Sequence, residues 1–141
     1  MKVFLGGTCN ESMWREFVKA RLECDYFDPV VDDWNKEAQE RERYEREHCD
    51  YVLYAITPRM KGVYSIAEVV DDSNKRPEKT ILCIVDKDVD DDLYTTISFD
   101  KAQMKSLEQV GEMVIRNGGR VFYNLDFTVQ YLNTLNRSPS D

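Results

Sequence analysis

Short apolar segments alternate with amphipathic ones along this chain, and no other feature constrains its fold as strongly. The apolar runs have the length of buried strands, and the segments between them carry apolar residues at helical spacing. The predicted strands cover residues 2–5, 26–31, 50–57, 80–85 and 120–123. The predicted helices cover residues 11–22, 34–48, a segment around Glu68 that stops near 74–77, 101–116 and 125–135. This order predicts an α/β fold: a doubly wound, mostly parallel five-stranded sheet with helices on both faces.

The size and charge of the chain narrow the kinds of partner it can have. Its 141 residues fit one domain, predicted at residues 1–136 with a flexible tail at 137–141. No apolar run approaches the roughly 18 to 20 residues that span a bilayer, and the apolar start is too short for a signal peptide, which predicts a cytoplasmic protein. The net charge of -8 argues against nucleic-acid or membrane binding and favours a small-molecule ligand.

Ligands of doubly wound sheets bind beyond the carboxyl ends of the strands, so the segments that follow strands are candidate sites. Gly6, Gly7 and Thr8 follow the first strand. Glycine lets the backbone come close to a ligand, and N–H groups at a helix start suit an oxygen-rich partner. A plain tight turn is the alternative. The segment is neither GxGxxG nor a Walker loop, which argues against dinucleotides and nucleoside triphosphates.

Asp33 and Trp34 follow the second predicted strand. Trp34 can stack on a planar base, and Asp33 can accept hydrogen bonds from ring or ribose donors. In the alternative interpretation, Asp33 caps the next helix and Trp34 lies in the core.

Several other patterns do not support a metal or phosphate site. The C-x5-R spacing of Cys9 and Arg15 is that of cysteine phosphatases, but the intervening loop contains Glu11 and Trp14 instead of a phosphate cradle. A single histidine, His48, argues against catalytic triads and multi-histidine metal sites. The four cysteines form no CxxC pair. Residues 86–92 are predicted to form a solvated acidic loop, which lacks the EF-hand glycine and terminal glutamate.

Glu68 lies about one turn into the helix that follows the third strand. The apolar spacing predicts a core-facing stripe of Val63, Ile66, Ala67 and Val70. Glu68 then shares the other side of the helix with Tyr64, Ser65 and Asp72. A carboxylate beside a phenol and a second acid can act as a nucleophile or a base, although the same spacing also describes an ordinary solvated helix face.

Taken together, these residues resemble the nucleoside 2-deoxyribosyltransferase family and its relatives, the 2'-deoxynucleoside 5'-phosphate N-hydrolases. The resemblance covers most of residues 2–86. It rests on an opening strand that runs into Gly6-Gly7, a charged helix that ends in Cys49-Asp50, a strand at 51–57, and Gly62 followed six residues later by Glu68. It implies a flavodoxin-like sheet of order 2-1-3-4-5, with no metal and no cofactor.

The resemblance also implies a chemistry. A glutamate at the position of Glu68 attacks C1' of the deoxyribose, the base leaves, and a covalent 2-deoxyribosyl enzyme passes its sugar to a second base or to water. Glu42 keeps a negative charge where the family binds sugar or base. Gly62 occupies the position of a second acid, so Asp33 is predicted to protonate the leaving base instead. Tyr64 is predicted to hydrogen-bond Glu68 and hold it ionised.

Further expectations concern the substrate and the assembly. Arg59, Lys61 and Thr8 are predicted to recognise a 5'-phosphate. A homodimer or higher homo-oligomer is typical of the family, but residues 89–99 contain no counterpart of the asparagine that the transferases borrow from a neighbouring subunit. Two other functions remain open: a non-catalytic nucleotide-binding or sensor domain, and cleavage of NAD-like dinucleotides on the same scaffold.

Overall fold

A computed structural model describes residues 1–9, 12–89 and 94–138, and these ranges contain seven strands and five α-helices. The strands are β1 Lys2–Gly7, β2 Asp25–Phe27, β3 Tyr51–Ile56, β4 Thr80–Ile84, β5 Lys87–Val89, β6 Thr96–Ser98 and β7 Arg120–Phe122. The helices are α1 Trp14–Arg21, α2 Lys36–His48, α3 Tyr64–Lys75, α4 Lys101–Asn117 and α5 Leu125–Arg137. None of the helices in these ranges is long and apolar enough to cross a lipid bilayer.

Five strands form one parallel sheet in the order β2-β1-β3-β4-β7. Because β7 is the fifth strand of this sheet in chain order, the predicted order 2-1-3-4-5 is confirmed. The chain winds one way from β1 to β2 and the other way from β3 onward. The strand order therefore reverses between β1 and β3, and their carboxyl ends form the topological switch point.

The two faces of the sheet bury separate hydrophobic clusters, as the alternation of side chains along a strand requires. In β1, Val3 and Leu5 point to one face and Phe4 to the other. The first cluster includes Trp14 and Val18 from α1 with Val129 and Leu132 from α5. The second includes Tyr54 from β3, Val69 from α3, and Leu107 and Val114 from α4. The predicted helices on both faces are therefore confirmed.

Element boundaries near the switch point differ from the predicted ones. The second strand ends at Phe27 rather than at residue 31, because the following Pro29-Val30-Val31 segment leaves the sheet. Asn35 caps α2 by accepting a hydrogen bond from the Ala38 amide at 2.8 Å, so the alternative in which Asp33 caps this helix is wrong. The predicted start of the first helix, at residue 11, lies outside the described residues.

The predicted acidic loop at residues 86–92 is wrong in its first half. Residues 87–89 form β5, which pairs antiparallel with β6 in a two-stranded ribbon, while residues 90–92 lie outside the described ranges. Hydrogen bonds fix the ribbon to the loops after β1 and β3. Ser12 donates to the Asp88 carboxylate at 2.6 Å, and Arg59 donates to the Val89 carbonyl at 2.9 Å.

The predicted orientation of α3 is wrong in part: Ile66 and Val70 pack against the core as expected, but Glu68 is buried as well. Val63, just before α3, is 66 % exposed, and Ala67 is exposed too, whereas Val69 is fully buried. The buried residues of the helix are Glu68, Val69, Asp72 and Ser73. Polar side chains occupy this inward face because ionic and hydrogen-bonding partners on α2 and β3 compensate their burial.

Candidate active site

A cavity of about 540 Å³ opens at the carboxyl ends of β1 and β3, at the switch point of the sheet. Gly6, Gly7 and Thr8 line it from the end of β1, and Met60 and Gly62 line it from the segment after β3. The volume suits a ligand of the size of a nucleoside. The sequence-predicted glycine segment therefore belongs to the wall of a cavity at the expected position in the fold.

Gly7 lets the floor of this cavity lie directly against β3. Its φ is 110°, and a Cβ atom at this position would lie 2.2 Å from the carbonyl oxygen of Ala55. The next residue continues the contact, since the Thr8 amide donates to the same carbonyl at 2.9 Å. The Thr8 hydroxyl accepts a hydrogen bond from the Thr57 amide at 2.9 Å. Only glycine fits position 7 without moving the backbone.

Arg15 stabilises the same floor from α1. Its guanidinium is buried and donates to three main-chain carbonyls, those of Leu5, Gly7 and Thr8, at 2.6 to 3.3 Å. A phosphate-binding arginine would have to direct these N–H groups at the ligand. This geometry removes the basis for a cysteine-phosphatase interpretation of Cys9 and Arg15.

One wall of the cavity is apolar and half open to solvent. It consists of Pro29, Val30 and Val31 after β2, together with Trp34. Trp34 is 52 % exposed, so the alternative that places it in the core is wrong. Its indole lines the cavity, where a flat, apolar surface suits a planar aromatic group of a ligand.

Two carboxyl groups meet at the cavity, Glu42 from α2 and Glu68 from α3. Glu68 is only 8 % exposed, which excludes the solvated-face alternative. The two carboxyl groups interact through a hydrogen bond that lowers the pKa of Glu42 and raises that of Glu68, so the proton between them rests on Glu68. Burial and the nearby charge of Glu42 raise the pKa of Glu68 to about 7, although Arg46 acts in the opposite direction. Burial also raises the pKa of Glu42. The pair therefore holds a proton close to neutral pH.

A charged network lies beside Glu68. Arg46 of α2 places Nη1 3.7 Å from the Glu68 carboxylate and donates from Nε to Asp72 at 2.9 Å. Asp72 is fully buried and also accepts hydrogen bonds from the Tyr54 hydroxyl, at 2.6 Å, and from Arg76. Burial lowers the pKa of Arg46, but the hydrogen bond to Asp72 and the nearby negative groups together outweigh it, and the pKa of Arg46 is raised. The network pairs the buried Asp72 carboxylate with the half-buried guanidinium groups of Arg46 and Arg76.

Two predicted catalytic partners of Glu68 do not contact it. In the part of the chain that the structure describes, no hydrogen bond joins Tyr64 to Glu68, because the Tyr64 ring points outward and is 73 % exposed at the edge of the cavity. Moreover, the pKa of Glu68 is raised rather than lowered, so its ionised form is not the one that its surroundings favour. Asp33 is exposed and accepts a hydrogen bond from the side-chain amide of Asn35 at 3.4 Å. It is absent from the described cavity lining.

Three predicted substrate-binding residues also lie away from the described lining. The Arg59 guanidinium is turned toward the β5–β6 ribbon, and Lys61 is exposed to solvent. Asp72 lies behind Glu68 and serves the buried network instead. In contrast, Gly6, Gly7, Thr8, Trp34, Glu42, Gly62, Tyr64 and Glu68 all line the cavity.

The sequence analysis missed Arg46. The highly charged sequence of α2 resembles a solvated helix, and nothing in it separates Arg46 from the exposed arginines beside it. The sequence signal for this ion pair is divided between two helices. One face of α2 carries Glu42, Glu45 and Arg46, with Cys49 just after the helix. One face of α3 carries Glu68, Asp71 and Asp72. Opposite charges on two helices predict an ion pair only when the two helices are already known to pack against each other.

The raised pKa of Glu68 predicts how stability depends on pH. The folded protein binds the Glu68 proton more tightly than the unfolded chain does, because the pKa rises from 4.5 to about 7 on folding. This stabilisation is complete below about pH 4.5 and is lost as the pH rises through 7. From pH 5 to pH 8, we expect the free energy of unfolding of Glu68→Gln to increase relative to that of the wild type by about 2 kcal/mol. Urea denaturation at both pH values measures this difference, and an equal difference at both would contradict the prediction.

The described residues contain no group of three or more His, Cys, Asp or Glu side chains arranged to hold a metal ion.

Fold and site together define an α/β protein with a cavity at the switch point of its sheet, beside a pair of interacting carboxyl groups. A family model described as nucleoside 2-deoxyribosyltransferase like matches residues 1–87, which extend from the start of the chain through β4. The chain belongs to the nucleoside 2-deoxyribosyltransferase-like family, so the predicted resemblance is confirmed. Comparison with curated proteins gives no match. Family membership indicates an enzyme of the transferase or hydrolase type that binds a nucleoside-like small molecule.

Proposed function

We propose that this protein cleaves or transfers the N-glycosidic bond of 2'-deoxynucleosides or their 5'-monophosphates, with Glu68 as the nucleophile. One observation carries the proposal: in a member of this family, a buried glutamate lines the cavity at the switch point and shares a proton with a second carboxyl. This arrangement fits a retaining mechanism, in which one carboxylate forms a bond to the sugar and another group handles the proton.

The first step forms a bond between a Glu68 carboxylate oxygen and C1' of the deoxyribose. The bond between C1' and the base nitrogen breaks at the same time, and its electron pair leaves with the base, which takes up a proton. In the second step, water or another base attacks C1', gives up a proton to the group that protonated the leaving base, and releases Glu68 as a carboxylate. Covalent catalysis of this kind divides one difficult displacement into two easier ones.

Glu42 is the group that can take the proton from Glu68. Glu68 attacks only as a carboxylate, but the hydrogen bond between the two groups raises the pKa of Glu68 and lowers that of Glu42, so the shared proton rests on Glu68 before the reaction. We propose that this proton passes to Glu42 when the substrate binds. The proton on Glu42 is then the nearest acidic proton to the cavity, and we propose that it moves to the leaving base in place of one from Asp33. The substrate has to separate the two carboxyls, since retaining enzymes hold such a pair about 5 Å apart.

The charges around the cavity favour a deoxynucleoside over its monophosphate. Among the described lining residues the one cationic side chain is Arg15, and its guanidinium is engaged by main-chain carbonyls. Two carboxyls line the same space. A 5'-phosphate would meet a negative field there without a dedicated cation. The apolar wall with Trp34 suits the base, which every 2'-deoxynucleoside contains.

Incubation with mixed deoxynucleosides, deoxynucleoside monophosphates, NAD and free bases tests the proposal. We expect base release or base exchange from the deoxynucleosides, turnover of the monophosphates at a rate at least about tenfold lower, and none of NAD. Mass spectrometry of the intact protein should show a 2-deoxyribosyl adduct, and peptide mapping should locate it at Glu68.

The same experiment distinguishes the alternatives. Tight calorimetric binding without turnover of any compound would support a sensor domain and overturn the proposal. Release of nicotinamide from NAD without deoxynucleoside turnover would identify a different N-glycosidic reaction. An adduct on a residue other than Glu68 would keep the reaction class but refute the assigned nucleophile.

A further inference from the structure

Arg46 links α2 to the turn of α3 that carries Glu68. Its guanidinium makes four contacts across this interface. Nε donates to Asp72 at 2.9 Å, Nη2 donates to the Asp71 carboxylate at 3.1 Å and to the main-chain carbonyl of Glu68 at 3.2 Å, and Nη1 lies 3.7 Å from Glu68 Oε2. A planar guanidinium with several donors can make these contacts simultaneously, but a single ammonium group cannot.

The position of Arg46 is fixed from behind by Asp72. This carboxylate is fully buried, and it holds Arg46 while it also accepts hydrogen bonds from Tyr54 and Arg76. Buried carboxylates of this kind need paired hydrogen-bonding partners to remain charged. The orientation of Arg46 therefore depends on a part of the protein that the ligand does not reach.

Glu68 thus lies between two opposing influences. Glu42 shares a proton with it, and Arg46, one turn further along the same helix, favours its carboxylate form. Charged or titratable side chains act on this pair from four elements: Arg15 on α1, Glu42 and Arg46 on α2, Tyr54 on β3, and Asp72 on α3. Of these, Arg46 is the cation whose guanidinium contacts Glu68 directly.

We propose that Arg46 is a positioning residue that orients Glu68 and keeps it available as a carboxylate at neutral pH. The inference rests on the proposed role of Glu68 as the nucleophile. It assigns Arg46 no contact with the substrate, because Arg46 is absent from the described cavity lining. The hydrogen bonds of the buried Asp72 then hold α2 against α3 and also contribute to the reaction, because they hold Arg46 beside Glu68.

The substitution Arg46→Met tests this inference through the pH dependence of the reaction and of Glu68 itself. We expect the acidic limb of the profile of kcat/KM against pH to move upward by about one pH unit or more, because an opposite charge at this distance stabilises a carboxylate by that amount. At pH 7, kcat should fall by about tenfold while KM changes little. A ¹³C NMR titration of the Glu68 carboxyl should show the same upward shift without requiring turnover.

Arg43→Met is the matched control, because Arg43 is exposed on the same helix and the charge change is identical. It should leave both the profile and the titration unchanged. Arg46→Lys should give a smaller shift than Arg46→Met, and this variant keeps the test available if the methionine variant does not fold. Equal loss of activity at every pH, or a Glu68 titration that matches the wild type, would overturn the inference. A shifted titration in a protein that turns over no deoxynucleoside would support the role of Arg46 on Glu68 and refute the proposed function alone.

Discussion

Replacing Glu68 with glutamine is expected to reduce kcat for base release by at least about 10³-fold while the protein remains folded. The amide has the shape of the carboxyl group but cannot form the bond to C1', so the covalent route is closed. Stability should not suffer, since the substitution removes a group whose ionised form is costly to bury at 8 % exposure. Steady-state kinetics, circular dichroism and intact-protein mass spectrometry measure the three consequences, and the last should show no sugar adduct.

The control for this variant is Glu47→Gln, the same chemical change at an exposed position of α2. It should retain full activity. A Glu68→Gln protein that works within about tenfold of the wild type would show that Glu68 is not the nucleophile, whatever the reaction proves to be.

Gly7→Ala is expected to destabilise the fold by at least about 3 kcal/mol, which is a large part of the stability of a typical domain. The backbone at Gly7 has a φ of 110°, and the added methyl group would lie 2.2 Å from a main-chain oxygen of β3. Relief of this overlap would require β1 and β3 to separate at the point where they form the cavity floor. Urea denaturation at fixed pH gives the change in the free energy of unfolding.

Gly62→Ala is the matched comparison, because a Cβ atom at Gly62 would meet nothing within 4 Å. Its free energy of unfolding should stay within about 0.5 kcal/mol of the wild type. Similar stabilities for the two variants would contradict the close approach of Gly7 to Ala55.

The sequence predicted most of the main sheet because each of its longer strands is buried and therefore apolar along its whole length. β3 and β4 are examples, with at most their first residue partly exposed. The prediction of strands from apolar runs failed where apolar residues line the cavity instead of the core. Val30 and Val31 extend the predicted second strand, but they form a cavity wall half open to solvent. The β5–β6 ribbon was missed because β5 is a three-residue strand within an acidic segment.

The candidate site was predictable in its location and only partly in its contacts. The rule for strand ends indicated Gly7 and Trp34, and the family resemblance indicated Glu42 and Glu68, all of which line one cavity. Hydrophobic periodicity placed Ile66 and Val70 against the core but missed the burial of Glu68 and Asp72, since it assumes that buried residues are apolar. The buried face of α3 is largely polar, and its stability depends on Arg46, a residue 22 positions away from Glu68 in the chain. Long-range ionic pairing leaves no signal in a single helix.

The contrast between the two sides of the cavity has a thermodynamic consequence. The floor formed by Gly7 and Thr8 is already held by hydrogen bonds from Arg15 and to β3, so a ligand that rests on it restricts little further motion. The opposite wall, with Val31 and Trp34 about half exposed, has side-chain freedom left to lose and apolar surface left to cover. The entropy lost by the protein on binding therefore falls mainly on this apolar wall, and the negative heat-capacity change that accompanies apolar burial originates there too.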